Sequence, residues 1–271
     1  MRSGRFVAVA AAALTAVAAA ALTAIAIASA ADGEAMVGFP AGSFVMGTSE
    51  GPADERPPHT VVLGAFAIDR LPVDNARFAE FLNAVGPLDG SGRRLYDFDD
   101  PDARIHRIDG RFRADPGYDD HPVVEASWRG ARDYCRWRGK RLPTEAERER
   151  AARGATARLY PWGSETPDAA RAHFGGRYND TRPVGSWPAG ASPEGVLDLA
   201  GNVHEWVSSR YLPYPYRAED GREDPDHSGE RVTRGGAHDT GPETLKGTWR
   251  GRGVSRSPAA GHHNFGFRCA R

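Results

Sequence analysis

The sequence predicts an α+β fold, a single irregular domain with much coil. Three observations carry that expectation. Helical periodicity and capping signals are confined to the first half of the chain, between about residues 74 and 154. Short alternating apolar stretches bounded by Gly and Pro mark strands on either side of them. Gly 32 and Pro 20 recur with no repeat and no linker, while an aromatic content of 9% is enough for a packed core rather than a disordered chain.

Val37–Met46 reads as a strand, a Pro40-Ala41-Gly42 turn and a second strand. Residues 47–58 are polar and proline-rich and form a loop. His59–Ile68 is apolar at Val61, Val62, Leu63, Phe66 and Ile68, a strand pair. Asp74 or Asn75 then caps a helix whose Phe78, Phe81, Leu82 and Val85 form one apolar stripe, and Gly86-Pro87 stops it. Asp109-Gly110 between Ile105, Ile108 and Phe112 signals a type I′ hairpin. A second helix spans Trp128 to Arg138, with Ala131, Tyr134 and Cys135 on its inward face. Thr144-Glu-Ala-Glu147 is a capping box that opens a third helix ending at Gly154. From Tyr160 onward regular patterns are scarce. Tyr211, Tyr214 and Tyr216, interleaved with Pro213 and Pro215, either line a ligand groove or pack as an irregular loop. Glu219–Arg231 is strongly charged and reads as a mobile surface segment.

Arg2 and Arg5 precede an uncharged run from Phe6 to Ala31, and Ala28-Ser29-Ala30 fits signal-peptidase cleavage. The expectation is a signal peptide at residues 1–30, export to the periplasm or outside, and a domain over 36–271. An uncleaved amino-terminal anchor is the alternative, and the only membrane contact foreseen. Cleavage after Ala30 leaves 241 residues with 33 basic and 36 acidic side chains. That balance excludes a nucleic-acid-binding surface as the main function. There are two cysteines, Cys135 and Cys269. An even count in an exported chain favours a disulfide over two separate buried thiols.

Residues 195–206 place Asp198, the Gly201-Asn202 turn and Glu205 within eight positions. Such carboxylates either wrap a hard cation or accept backbone N–H bonds in a buried turn. The run Asp97, Asp99, Asp100, Asp102 lacks the glycine and terminal glutamate of an EF-hand and reads as a solvated loop.

Gly201-Asn202-x-x-Glu205-Trp206, Arg234-Gly235-Gly236 and Gly266-Phe267-Arg268-Cys269, in this order, resemble the formylglycine-generating enzyme (sulfatase-modifying factor) family. The resemblance runs from about Met36 to Arg271. It includes Pro40–Gly47, Ser127-Trp128, Tyr134-Cys135, Gly139–Glu147 and Tyr160–Gly163. It implies a C-type-lectin-like core, a Cys135–Cys269 disulfide, and a structural calcium ion held by the Asp198 and Glu205 carboxylates and the Gly201 and Val203 carbonyls. A second calcium site of the family is degraded, its ligands falling on His173 and near Gly176.

The family's sulfatase-modifying members bind copper(I) through two cysteines shortly after Arg-Gly-Gly. The matching segment here, residues 237–249, has none, so sulfatase-cysteine oxidation by copper thiolates is not expected. Ala237 stands where a serine is frequent and His204 where a tryptophan is. The resemblance places His204, His238 and Asp239 beside the cleft, with His262 and His263 as further donors. Two imidazoles and a carboxylate suit iron(II), zinc or copper(II). Two readings follow. One is an exported, metal-dependent oxidase of the periplasmic siderophore-maturation type, acting on a peptide or small molecule with molecular oxygen. The alternative is a non-catalytic lectin-like module that binds a peptide, glycan or protein.

Overall fold

The computed structural model describes residues 35–251 and 256–271. The expected signal peptide lies outside them, and no helix among the described residues is long and apolar enough to cross a membrane. Strand β1 (Met36–Phe39) pairs antiparallel with β4 (Phe66–Asp69), and β2 (Gly42–Met46) with β3 (His59–Leu63). The four strands lie where alternation and turn residues put them, but the pairing differs from the sequence reading: His59–Ile68 is not paired with itself, and each of its strands pairs with one from Val37–Met46 instead. Strands β5 (Ile105–Ile108) and β6 (Arg111–Ala114) form the hairpin foreseen at Asp109-Gly110, whose φ values of 50° and 81° meet the type I′ requirement for two positive angles.

Three helices lie where the caps put them. Helix α1 (Asn75–Val85) is capped by Asp74, whose carboxylate accepts from the Arg77 N–H. Helix α2 (Trp128–Trp137) is capped by Ser127. Helix α3 (Glu145–Arg153) carries the complete Thr144/Glu147 capping box and ends at Gly154. The α1 stripe packs against α2, with the Phe78 and Tyr134 rings 5.7 Å apart, and Phe267 closes on both. This cluster, with Trp206 and Phe265, is the main core.

The carboxy-terminal half contributes a three-stranded sheet in the order β8 (Arg231–Arg234), β7 (His204–Arg210), β9 (Phe265–Phe267). Strand β7 is antiparallel to β8 and parallel to β9. Its Glu205 lies opposite Arg234 on one side and Gly266 on the other. The three sequence motifs therefore meet in adjacent strands around one residue. Cys135 and Cys269 are fully buried and bonded, fixing the end of β9 to α2.

The sequence gives no warning of how much charge is inside. Glu205 receives the Arg148 guanidinium at 2.6 Å and Arg268 at 2.6 Å, with all three residues 2% exposed or less. Arg268 also donates to the carbonyls of Asp69, Arg70, Leu197 and Asp198. Glu145 binds Arg250, and Glu149 binds Arg153 and Arg234.

The charged segment before β8 is not the free surface loop its composition suggests. Arg222 and Arg231 are fully buried and donate to five backbone carbonyls between Ser208 and His227. The tyrosine loop resolves as packing. The Arg250 guanidinium lies 4.0 Å from the Tyr214 ring and Arg256 lies 3.6 Å from that of Tyr211.

Two outcomes follow. Thiol titration of the denatured, unreduced protein finds no free thiol, and reduction lowers stability by about 5 kcal/mol at most, the chain-entropy value for so long a loop; two titratable thiols would overturn the pairing. Arg268→Met leaves Glu205 paired with Arg148 alone, removes the donor to its Oε1 and strips four buried carbonyls of the Arg268 donor, so urea unfolding shows a loss of about 3–5 kcal/mol.

Candidate functional site

The site is built where the turn before β7, the turn after β8 and the segment before β9 meet. Asn202, at φ 64°, is fixed from two sides. Its side chain accepts from the Arg182 N–H at 3.0 Å and donates to the Arg182 carbonyl at 2.9 Å. Gly201 before it has φ 81°, and a Cβ there would lie 2.5 Å from the His173 carbonyl oxygen, so only glycine fits. Its N–H donates to the Gly235 carbonyl at 2.7 Å, which locks the Arg-Gly-Gly turn onto the Gly-Asn turn.

This lock aims His238. Both its N–H and its ring Nδ1 meet the Asn202 carbonyl, at 3.0 and 2.8 Å. A carbonyl only accepts, so Nδ1 carries the proton and Nε2 presents its lone pair. That Nε2 is buried and has no hydrogen-bond partner among the described residues. Burial pushes the His238 pKa down, which keeps the ring neutral.

Asp239 follows directly, yet it converges with His238 rather than pointing to the opposite face. Residues 237–240 form a turn closed by the Thr240 N–H on the Ala237 carbonyl, so strand alternation does not apply. The Asp239 carboxylate accepts from His263 Nε2 at 2.8 Å and from Asn264 Nδ2 at 3.0 Å. Burial alone would raise its pKa. These two donors, with the imidazoles around it, hold it far below the usual carboxylate range. One donor atom each from His238, Asp239 and His263 lies within 4.8 Å of the others.

The expected trio of His204, His238 and Asp239 is therefore corrected at one position. His204 is fully buried, its ring stacked 4.8 Å from Trp249 and edge-on to Phe265. Neither of its nitrogens has a hydrogen-bond partner among the described residues, and burial pushes its pKa down to about 3. It is a neutral core aromatic in the place of tryptophan and stands outside the donor group. His263 takes its place. His262 packs its ring 4.6 Å from Phe265 and also stays outside.

The residues expected to bind calcium do different work. Both Glu205 oxygens are taken by guanidiniums. Burial would raise its pKa, but Arg148 and Arg268 hold it down. A dication would have to displace two arginines, so the Asp198, Gly201, Val203, Glu205 set does not fit the ion as arranged. The Gly201 carbonyl accepts from the Val203 N–H. Asp198 accepts from the Gly185 N–H at 2.6 Å through one oxygen, while the other is buried without a partner. Burial raises its pKa to about 6, so it turns neutral far more readily than an ordinary carboxylate. This is the hydrogen-bonded turn that spacing alone also allowed. Copper(I) thiolate chemistry has no ligands, since both cysteines are in the disulfide.

His238, Asp239 and His263 do fit a transition metal. The orphaned Nε2 of His238 is a free donor, and its Nδ1–H is oriented by a carbonyl, as metal-ligating histidines usually are. The 2.8 Å between His263 Nε2 and Asp239 Oδ2 approximates the roughly 3 Å between two ligands set at right angles about 2.1 Å from one ion.

Comparison with known proteins identifies the family. Residues 23–271 match the model of the sulfatase-modifying factor enzyme 1-like domain. The chain is 37% identical to the formylglycine-generating enzyme of Streptomyces coelicolor, over 87% of this chain and 88% of that one. It is 36% identical to the hercynine oxygenase of Mycolicibacterium smegmatis, over 65% of this chain and 46% of that protein. It is 39% identical to the serine/threonine-protein kinase pkn1 of Chlamydia caviae over 87% of this chain, but spans only 38% of the kinase's length. The solved structure of PvdO from Pseudomonas aeruginosa superposes with a TM-score of 0.67 and 30% identity, covering 87% of this chain and 93% of that one. The chain thus belongs to the sulfatase-modifying factor family, with its C-type-lectin-like core, and is a member whose two cysteines are spent on a disulfide.

Proposed function

We propose that this protein is an exported oxidoreductase of the oxygen-using type, with a transition metal held by His238, Asp239 and His263. The observation that carries the reading is the buried, unpartnered Nε2 of His238 facing an ionised carboxylate and a second imidazole. The family's thiolate donors are replaced here by nitrogen and oxygen donors, which changes the metal class from copper(I) to iron(II), copper(II) or zinc. Bound iron or copper would supply oxygen activation at this position. The relative named hercynine oxygenase supports an oxygen chemistry in this family that is not sulfatase modification. Export rests on Arg2, Arg5, the apolar run and Ala28-Ser29-Ala30, and the substrate class is a peptide or small molecule.

The chain's own residues have defined tasks in this reading. Asn202 fixes the tautomer of His238. Asn264 holds one oxygen of Asp239 and leaves the other to His263. For His263 Nε2 and Asp239 to hold a metal together, the Nε2–H that now donates to Asp239 would have to move to Nδ1, and protons would compete with the metal for all three donors, so retention weakens in acid. His173, stacked 5.6 Å from Trp187 and 6.2 Å from His238, walls one side.

Elemental analysis of protein purified without chelator tests this. One equivalent of iron, copper or zinc is expected, and it is lost in His238→Ala and in His263→Ala while both variants still melt cooperatively. His204→Ala keeps the metal but loses about 2–4 kcal/mol of stability, because it empties the space against Trp249. A metal-free parent protein, or full retention in both His238→Ala and His263→Ala, would leave the lectin-like binding module as the reading.

A further inference from the structure

The acidic run 97–102 divides into two groups. Asp97 and Asp99 turn to Arg94. Asp100 and Asp102 turn the other way and meet Glu125, which comes from the segment just before α2 and supplies the carboxylate that the run itself lacks. One oxygen from each of the three lies within 4.8 Å of the others. Two oxygens about 2.4 Å from one shared calcium ion lie at most about 4.8 Å apart, so the spacing matches a common cation.

Glu125 is the telling member. It is 3% exposed, and its carboxyl accepts no hydrogen bond and pairs with no cation among the described residues. Its backbone is pinned at φ 59°. Its N–H donates to the His262 carbonyl at 3.1 Å, and its own carbonyl accepts from the Asp97 N–H at 3.0 Å. Burial, reinforced by the charges of Asp100, Asp97 and Asp102, pushes its pKa up to about 8. Among the described residues the Asp100 carboxylate accepts only from the Asp102 N–H, and the Asp102 carboxylate accepts from the Asn179 amide and the Tyr178 hydroxyl. No described Lys, Arg or His is paired with any of the three. A buried carboxyl aimed at two further carboxylates with no donor between them bears the cost of desolvation and of repulsion, and a cation removes both.

We propose that Asp100, Asp102 and Glu125 bind one hard divalent cation of the calcium or magnesium class, separate from the histidine site. The ligand set is oxygen alone, which selects hard ions over the iron, copper or zinc that suit imidazoles. The position gives the ion a structural consequence. Asp102 holds the Tyr178 hydroxyl, and the Tyr178 ring lies 4.0 Å from that of His263. Asp97 also holds the Gly261 N–H at 3.1 Å. The cation thereby ties the acidic loop to the strap that carries His262 and His263.

The test is calorimetric titration of the chelator-treated full chain with CaCl2 and, separately, with MgCl2. One equivalent of at least one ion binds. Glu125→Gln and Asp102→Asn each weaken that binding at least tenfold, whereas Asp198→Ala and His238→Ala leave it unchanged. Glu125→Gln keeps the shape of the side chain and removes a carboxyl that has no hydrogen-bond partner to lose, so it melts at or above the temperature of the stripped parent, which separates lost binding from lost fold. No binding of either ion to the folded parent, unchanged affinity in Glu125→Gln, or loss of binding in Asp198→Ala or His238→Ala would each overturn the site.

Discussion

The buried carboxylate of Glu205, clasped by Arg148 and Arg268, is the constraint on which the rest of the structure depends. A buried ion pair seldom stabilises a fold by its own attraction, because desolvating the charges costs several kcal/mol. What it does supply here is placement. Arg268 follows directly on the last strand, Arg148 comes from α3 and Glu205 from the central strand of the sheet. The two guanidiniums also collect the carbonyls of Asp69, Arg70, Leu197, Asp198 and Leu199. They gather oxygens around one point, the task that the resemblance assigns to a calcium ion at this turn. The placement they give this turn passes through Gly201 and Asn202 to His238.

Much of the fold is legible in the sequence because it is written in local signals. The capping residues Asp74, Ser127 and Thr144, the α1 stripe and the Asp109-Gly110 turn each act within a few positions. The ordered motifs around Glu205, Arg234 and Gly266 fix which strands neighbour one another, and Cys135 and Cys269 pair where those motifs place them. The interior charge is not legible. Glu145, Arg148, Glu149 and Arg153 sit in one short helix whose composition reads as solvated, and all four are buried. Their partners, Glu205, Arg234 and Arg250, lie far along the chain, so no local pattern could pair them.

The site was legible in its parts and not in its assembly. His238 and Asp239 were marked by their place after Arg-Gly-Gly, and His263 by its place before Asn264. His204 was drawn in because it neighbours Glu205, yet strand alternation from Glu205 turns it into the core against Trp249 and Phe265. Which histidine faces Asp239 depends on how the segment before β9 crosses the turn after β8. That crossing is a tertiary fact. The same holds for Glu125, an ordinary glutamate in sequence that becomes the unsatisfied member of an acidic group only because the 97–102 loop folds against it.

The two donor groups divide their chemistry by position. The interior motifs, whose geometry the arginines hold, match the family resemblance, while the segment after Arg-Gly-Gly departs from it in having no cysteine pair. Loss of the cysteine pair removes the soft ligands, and His238, Asp239 and His263 put borderline donors on turns anchored by the same glycines and the same asparagine. Beside them the acidic group offers only hard oxygen. A scaffold fixed at its centre by charge and disulfide can tolerate such exchange at its loops, because the loops contribute little to the core that holds them in place. Tyr178 joins the two groups, with its hydroxyl on Asp102 and its ring against His263. Whatever orders the acidic loop therefore also sets where one of the two imidazoles stands.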